Sequence, residues 1–78
     1  MMANCYLRIG DDYLEDAKRF LSVRAACDHF RSVANELDSY GQRIEATIHV
    51  APDRYCVAEY PDFVLSLGPR GGLRVERA

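Results

Sequence analysis

At Gly41 the spacing of apolar residues changes period. Before it, Val23, Ala26, Cys27, Phe30, Val33, Ala34, Leu37 and Tyr40 recur every three or four positions, with Arg24, Asp28, Arg31, Asn35 and Asp38 between them. After it, from Arg43 to Val50, Ile44, Ala46, Ile48 and Val50 alternate strictly with Arg43, Glu45, Thr47 and His49. A three-to-four spacing is one stripe of an α-helix and a spacing of two is one face of a β-strand. The sequence therefore predicts an amphipathic helix from about Ser22 to Tyr40, lying on a sheet whose first well-written strand follows at once. Ser22 is placed to cap the first free amides, and Gly41 to take the left-handed conformation that ends the helix. Arg24 with Asp28 and Asp28 with Arg31 are spaced to pair weakly along the polar side.

The remaining segments read as short strands and turns. Cys5, Leu7 and Ile9 alternate with Tyr6 and Arg8 over Asn4 to Ile9, and Gly10-Asp11-Asp12 closes that strand. Asp12 to Leu21 fits either a short return strand or a helix beginning at Asp12. The hairpin is preferred, because Ser22 already starts a helix and a fused one would be unusually long. Ala51-Pro52-Asp53 is a turn, and Arg54 to Tyr60 is expected as a strand with Tyr55, Val57 and Tyr60 but no clean alternation. Pro61-Asp62 turns again, Phe63, Leu65 and Leu67 alternate with Val64 and Ser66, and Gly68-Pro69-Arg70-Gly71-Gly72 leads into Leu73 to Glu76. The expected fold class is α+β, in two layers: one amphipathic helix packed on an antiparallel sheet of four to five strands.

Length bounds what this scaffold can carry. Seventy-eight residues make one domain, 1–78, and exclude a multi-domain enzyme. At 49% hydrophobic the chain can build a core, though one this short buries only about 60–65% of its unfolded surface. Ten basic against twelve acidic side chains give a net charge of −2, so no global positive field draws nucleic acid or anionic lipid. The charge is uneven. Residues 63–78 carry three arginines against Glu76, net +2, and residues 1–62 carry net −4, with Asp11, Asp12, Glu15 and Asp16 as the densest acidic group. Three widely spaced cysteines do not suit a secreted disulfide scaffold, and no signal peptide or membrane span is written; a cytoplasmic location is expected.

Catalytic patterns are thin. Cys27 and His29 are two apart on the helix and point to different sides, so Cys27 reads as a small core residue and His29 as solvent-facing. His49 and Cys56 would have to meet across strands to form a dyad, and His49 belongs to the wet face. No Cys-x-x-Cys, His-x-x-x-His or His-Glu-x-x-His spacing is present, and the acidic group lacks the ligand spacing of a calcium loop. Gly68 to Gly72 leads to a strand rather than a helix, so it reads as a hairpin displaying Arg70 and not as a phosphate loop. The expectation is a non-enzymatic protein with no metal and no cofactor.

What remains is surface. The outer face of the sheet is expected to present Tyr6, Arg8, Arg43, Glu45, Thr47, His49, Ser66, Arg74 and Glu76, residue types that interfaces favour. Partner-binding candidates are Asp11, Asp12, Glu15 and Asp16 on the acidic side and Arg43, Arg70 and Arg74 on the basic side. The alternative is a small nucleic-acid-binding module in which Tyr6 and Arg8 on the open sheet supply stacking and phosphate contacts, against which the acidic balance counts. An exposed strand edge and a thin core also fit a homodimer, with Tyr55 and Tyr60 to serve it.

The order of elements resembles small phage- and plasmid-encoded proteins, in particular type I anti-CRISPR proteins. It runs Cys5 to Ile9 as first strand, Ser22 to Tyr40 as helix, then strands over 44–50, 55–60, 63–67 and 73–75. The resemblance implies inhibition by occupation: binding to a bacterial ribonucleoprotein surveillance complex so as to block target DNA or nuclease recruitment. A net charge of −2 is too small for strong mimicry of DNA.

Overall fold

The computed structural model describes residues 3–78. It contains strands β1 (Asn4–Ile9), β2 (Lys18–Phe20), β3 (Ala46–Ala51), β4 (Phe63–Leu67) and β5 (Leu73–Arg77), with one helix, α1 (Val23–Asp38). All neighbouring strands are antiparallel and their order is β2-β1-β3-β4-β5. The fold is α+β, one helix on a five-stranded antiparallel sheet. Because β2 and β3 flank β1 and run in the same direction, the chain must cross the sheet between them, and the helix is that crossing.

The helix is bounded as its sequence dictates. The Ser22 hydroxyl accepts from Ala25 N–H at 3.1 Å. At the other end Gly41 adopts φ +78°, its N–H donates to Asp38 O, and Gln42 N–H donates to Leu37 O, both at 3.0 Å. The last α-helical residue is Asp38, so Tyr40 lies in the closing turn and is exposed rather than part of the apolar stripe. The expected pairs of Asp28 with Arg24 and Arg31 do not form; the ion pairs among the described residues are Asp38 with Arg43 at 3.4 Å and Arg74 with Glu76 at 3.7 Å.

The main core lies between α1 and the sheet. Phe30, Ala26 and Ala34 from the helix meet Leu7, Ile48 and Leu65 from the three central strands, all essentially fully buried. Alanine on either side of Phe30 lets the helix backbone approach the sheet while one large ring fills the middle. His29 is half-buried, its ring tilted against Phe20 with centroids 5.2 Å apart, and so is not the free surface residue its spacing suggested.

One segment follows expectation and one departs from it. Between Asp12 and Leu21 the chain makes the preferred hairpin, its return strand β2 antiparallel to β1 and only three residues long. A 3₁₀ turn at Leu14–Asp16 precedes the three-residue β2, whose register sets Leu7 opposite Lys18. The strand expected over 54–60 is absent: Arg54–Cys56 is a second 3₁₀ turn and the chain then loops to β4. Asp53 decides this locally, since its carboxylate accepts from Cys56 N–H at 3.0 Å and closes a turn that an extended chain could not make.

Candidate functional site

The outer face of the sheet is not the open platform that alternation implies. Tyr6 is 3% exposed and His49 1%, although both point away from the helix. The two 3₁₀ turns fold over this face and enclose a second, smaller core of Tyr6, Ala17 and Ala51, bordered by Leu14 and Val57. Tyr6 therefore offers no ring for a nucleobase to stack on. Arg8 and Thr47, its expected companions, are half-buried.

This cover is fastened by directional bonds. Arg54 lies with its guanidinium carbon 5.0 Å from the centre of the Tyr6 ring and donates from Nη1 to Glu15 O and from Nη2 to Ala17 O, each at 2.7 Å. A planar fork can hold two carbonyls of one turn and stack on a ring at once; a lysine could not. His49 does the same for the loop after the second turn. Its Nδ1 lies 2.8 Å from Ala58 O and its Nε2 2.9 Å from Thr47 Oγ1, so the tautomer carrying the proton on Nδ1 donates to the carbonyl and accepts from the hydroxyl. Among the described residues no buried side-chain polar atom lacks a partner.

Where the two turns meet, Leu14, Glu15, Arg54, Tyr55 and Val57 line a shallow groove of about 390 Å³. Three tyrosines on the same cover stand in solvent: Tyr55 is 98% exposed, Tyr60 86% and Tyr13 73%. Tyrosine combines large apolar area with a polar end that binding surfaces use. Asp11, Asp12, Glu15 and Asp16 are all exposed on the connection that carries Tyr13, so this surface has an acidic margin.

The basic candidates lie elsewhere. Arg70 is exposed at the tip of the β4–β5 turn and Arg74 on the outer face of β5. Arg43 is engaged within the fold: besides Asp38, its Nη1 donates to Leu67 O at 3.2 Å and Gly68 O at 3.0 Å, tying the end of α1 to the β4–β5 turn. Of the sequence-predicted candidates Glu15 lines the groove, Asp11, Asp12 and Asp16 are exposed on the same connection, and Arg43, Arg70 and Arg74 do not line it.

No family model, no curated protein and no solved structure matches the chain. Its chemistry has to be judged from its own side chains. Cys5 and Cys27 are buried on the helix side, and burial pushes both thiols up, with Asp62 adding to the shift at Cys5 and Asp28 and Cys5 at Cys27. Cys56 is exposed, and hydrogen bonding to the Asp53 carboxylate, then its charge, pushes that thiol up as well. A nucleophilic cysteine needs the opposite shift. Among the described residues no three His, Cys, Asp or Glu side chains converge as metal ligands, and no helix is long and apolar enough to cross a membrane.

Sequence reasoning missed Arg54 and His49 as the residues that shape this surface. A signal was present. Pro52-Asp53 before a segment without alternation marks a side-chain-closed turn, and a chain that is not a strand leaves the sheet face free to be covered.

Proposed function

We propose that this chain is a cytoplasmic, non-enzymatic protein-binding inhibitor whose docking surface is the groove between the two 3₁₀ turns with its bare tyrosines and acidic margin. The observation that carries this reading is the exposure of Tyr55, which lines the groove, together with that of Tyr13 and Tyr60 on the segments that form the cover. Such rings are costly to leave in water and gain most when a partner covers them. The margin of Asp11, Asp12, Glu15 and Asp16 selects a partner with a basic surface, through attraction during encounter. A protein of a type I surveillance complex, whose DNA-binding channel is basic, has that chemistry. The specific form of the proposal is therefore an anti-CRISPR that occupies the complex and blocks target DNA or nuclease recruitment.

The test is expression in bacteria with an active type I system, challenged by a targeted plasmid. The wild-type chain is expected to restore plasmid uptake. The Tyr13→Ala, Tyr55→Ala double variant and the reversal of the four acidic residues to lysine are expected to lose that effect while remaining folded. Arg70→Glu, away from the groove, is expected to retain it. Undiminished interference in cells containing the folded wild-type protein would overturn the anti-CRISPR reading, and inhibition unaffected by the tyrosine and acidic variants would overturn the assignment of the surface.

A further inference from the structure

The sheet has two edges, and they differ. β2 is only three residues long, Lys18–Phe20, and begins with two basic side chains, the design of an edge guarded against pairing. β5 has five residues, Leu73–Arg77, and is paired only to β4. The bonds flanking β5 fix which of its backbone groups are free. Gly68 N–H donates to Gly72 O at 2.7 Å and Ala78 N–H to Asp62 O at 3.2 Å. Antiparallel ladder bonds recur at every second residue, so Arg74 and Glu76 turn their amides and carbonyls toward β4. Leu73, Val75 and Arg77 turn theirs toward the open edge.

We infer that this edge pairs with the same edge of a second copy, around a two-fold axis at Val75, to form a continuous ten-stranded sheet. In that register Val75 faces Val75 of the second copy and Leu73 faces Arg77, so each outward amide and carbonyl of one strand meets its complement on the other. Arg74 then stands directly opposite Glu76 of the second copy, and Glu76 opposite its Arg74. These are the positions between ladder bonds, where facing side chains come closest. Within one chain Arg74 and Glu76 already lie 3.7 Å apart on the outer face. Pairing would make them an alternating square of two positive and two negative groups.

Charge selects this register among those open to the edge. Sliding one strand to the next register that keeps its outward amides bonded sets Arg74 against Arg74 in one direction and Glu76 against Glu76 in the other, and like charges directly opposed are destabilising. The apolar side agrees with it. The helix packs over β1 to β4, which leaves Val75, on the helix-facing side of β5, 44% exposed. Contact with its own copy covers it. The dimer uses neither the groove nor the tyrosines, so it stands or falls independently of the proposed function.

Sedimentation of the purified full chain over a range of concentrations tests the inference. The wild-type mass is expected to move from one chain to two as concentration rises, and not beyond. Arg74→Glu alone and Glu76→Arg alone are each expected to weaken association by about tenfold or more, and the double reversal to restore it. Val75→Pro, which removes an amide that the β4 ladder does not use, is expected to give a folded monomer by circular dichroism. A wild-type mass of one chain at every concentration up to about 1 mM, growth past two chains, or a double reversal no better than either single one would overturn it.

Discussion

The two faces of the sheet are both covered, by different physical means. On one side α1 lays Phe30 between two alanines onto Leu7, Ile48 and Leu65, and what holds it is apolar area and fit. On the other, two 3₁₀ turns lie over Tyr6 and Ala51, and Arg54 and His49 hold them and the loop that follows through three side-chain hydrogen bonds, to the carbonyls of Glu15, Ala17 and Ala58. Non-directional burial tolerates small shifts as long as volume is kept. Directional fastening depends on single side chains, and a cover held that way can open without unfolding the domain.

The largest effect should come from the first side. Phe30→Ala removes the central ring of the main core and is expected to destabilise the fold by about 3–5 kcal/mol, enough to unfold much of so small a domain. Denaturant titration measures it. A loss below about 1 kcal/mol would mean that the helix face is not the dominant core.

A smaller and more local effect is expected on the other side. Arg54→Ala removes two hydrogen bonds and the contact with the Tyr6 ring, for a loss of about 1–3 kcal/mol. Hydrogen exchange should speed up in residues 13–17 and 53–60 while the amides of β1 and β3 stay protected. Arg54→Lys should not restore protection, because an ammonium cannot span both carbonyls and the ring. Equal loss of protection across the whole sheet would show that the cover and the core are one cooperative unit.

The same contrast explains what could be seen in the sequence. The helix side was legible because burial by apolar area is written as a period: Cys5, Leu7 and Ile9, the helix residues Val23, Ala26, Cys27, Phe30 and Ala34, and Ala46 and Ile48 are all core or core-bordering residues. The outer face reads by the same logic as wet, since Tyr6, Thr47 and His49 alternate with those residues. Period carries no information about a guanidinium that reaches from residue 54 to the carbonyls of Glu15 and Ala17. Burial of His49 rests likewise on one carbonyl, at Ala58, placed by an irregular loop. Of the candidate site, the acidic group was legible as a run of charge. The groove beside it was not, because it exists only where two irregular segments meet.

The cysteines give the finest division between the two sides. Cys5 and Cys27 belong to the helix-side core and their thiols are raised first by burial; Cys56 sits on the outer cover and is raised first by its hydrogen bond to Asp53. At neutral pH a thiol reagent is therefore expected to modify Cys56 alone, and more slowly than a free cysteine, because the thiolate is the reactive form. Asp53→Asn keeps an oxygen for the Cys56 amide but removes the charge, and should speed that reaction. For the buried pair the consequence is in stability. A thiol raised in the folded state loses its proton more easily when unfolded, so its contribution is complete below the ordinary thiol pKa of about 8.5 and is lost as pH rises through the folded value. Unfolding free energy should accordingly fall on the alkaline side, and Cys5→Ala with Cys27→Ala should flatten that fall. If Cys5 and Cys27 instead react at neutral pH as fast as Cys56, the helix opens as readily as the cover, and the difference between the two faces lies in geometry alone.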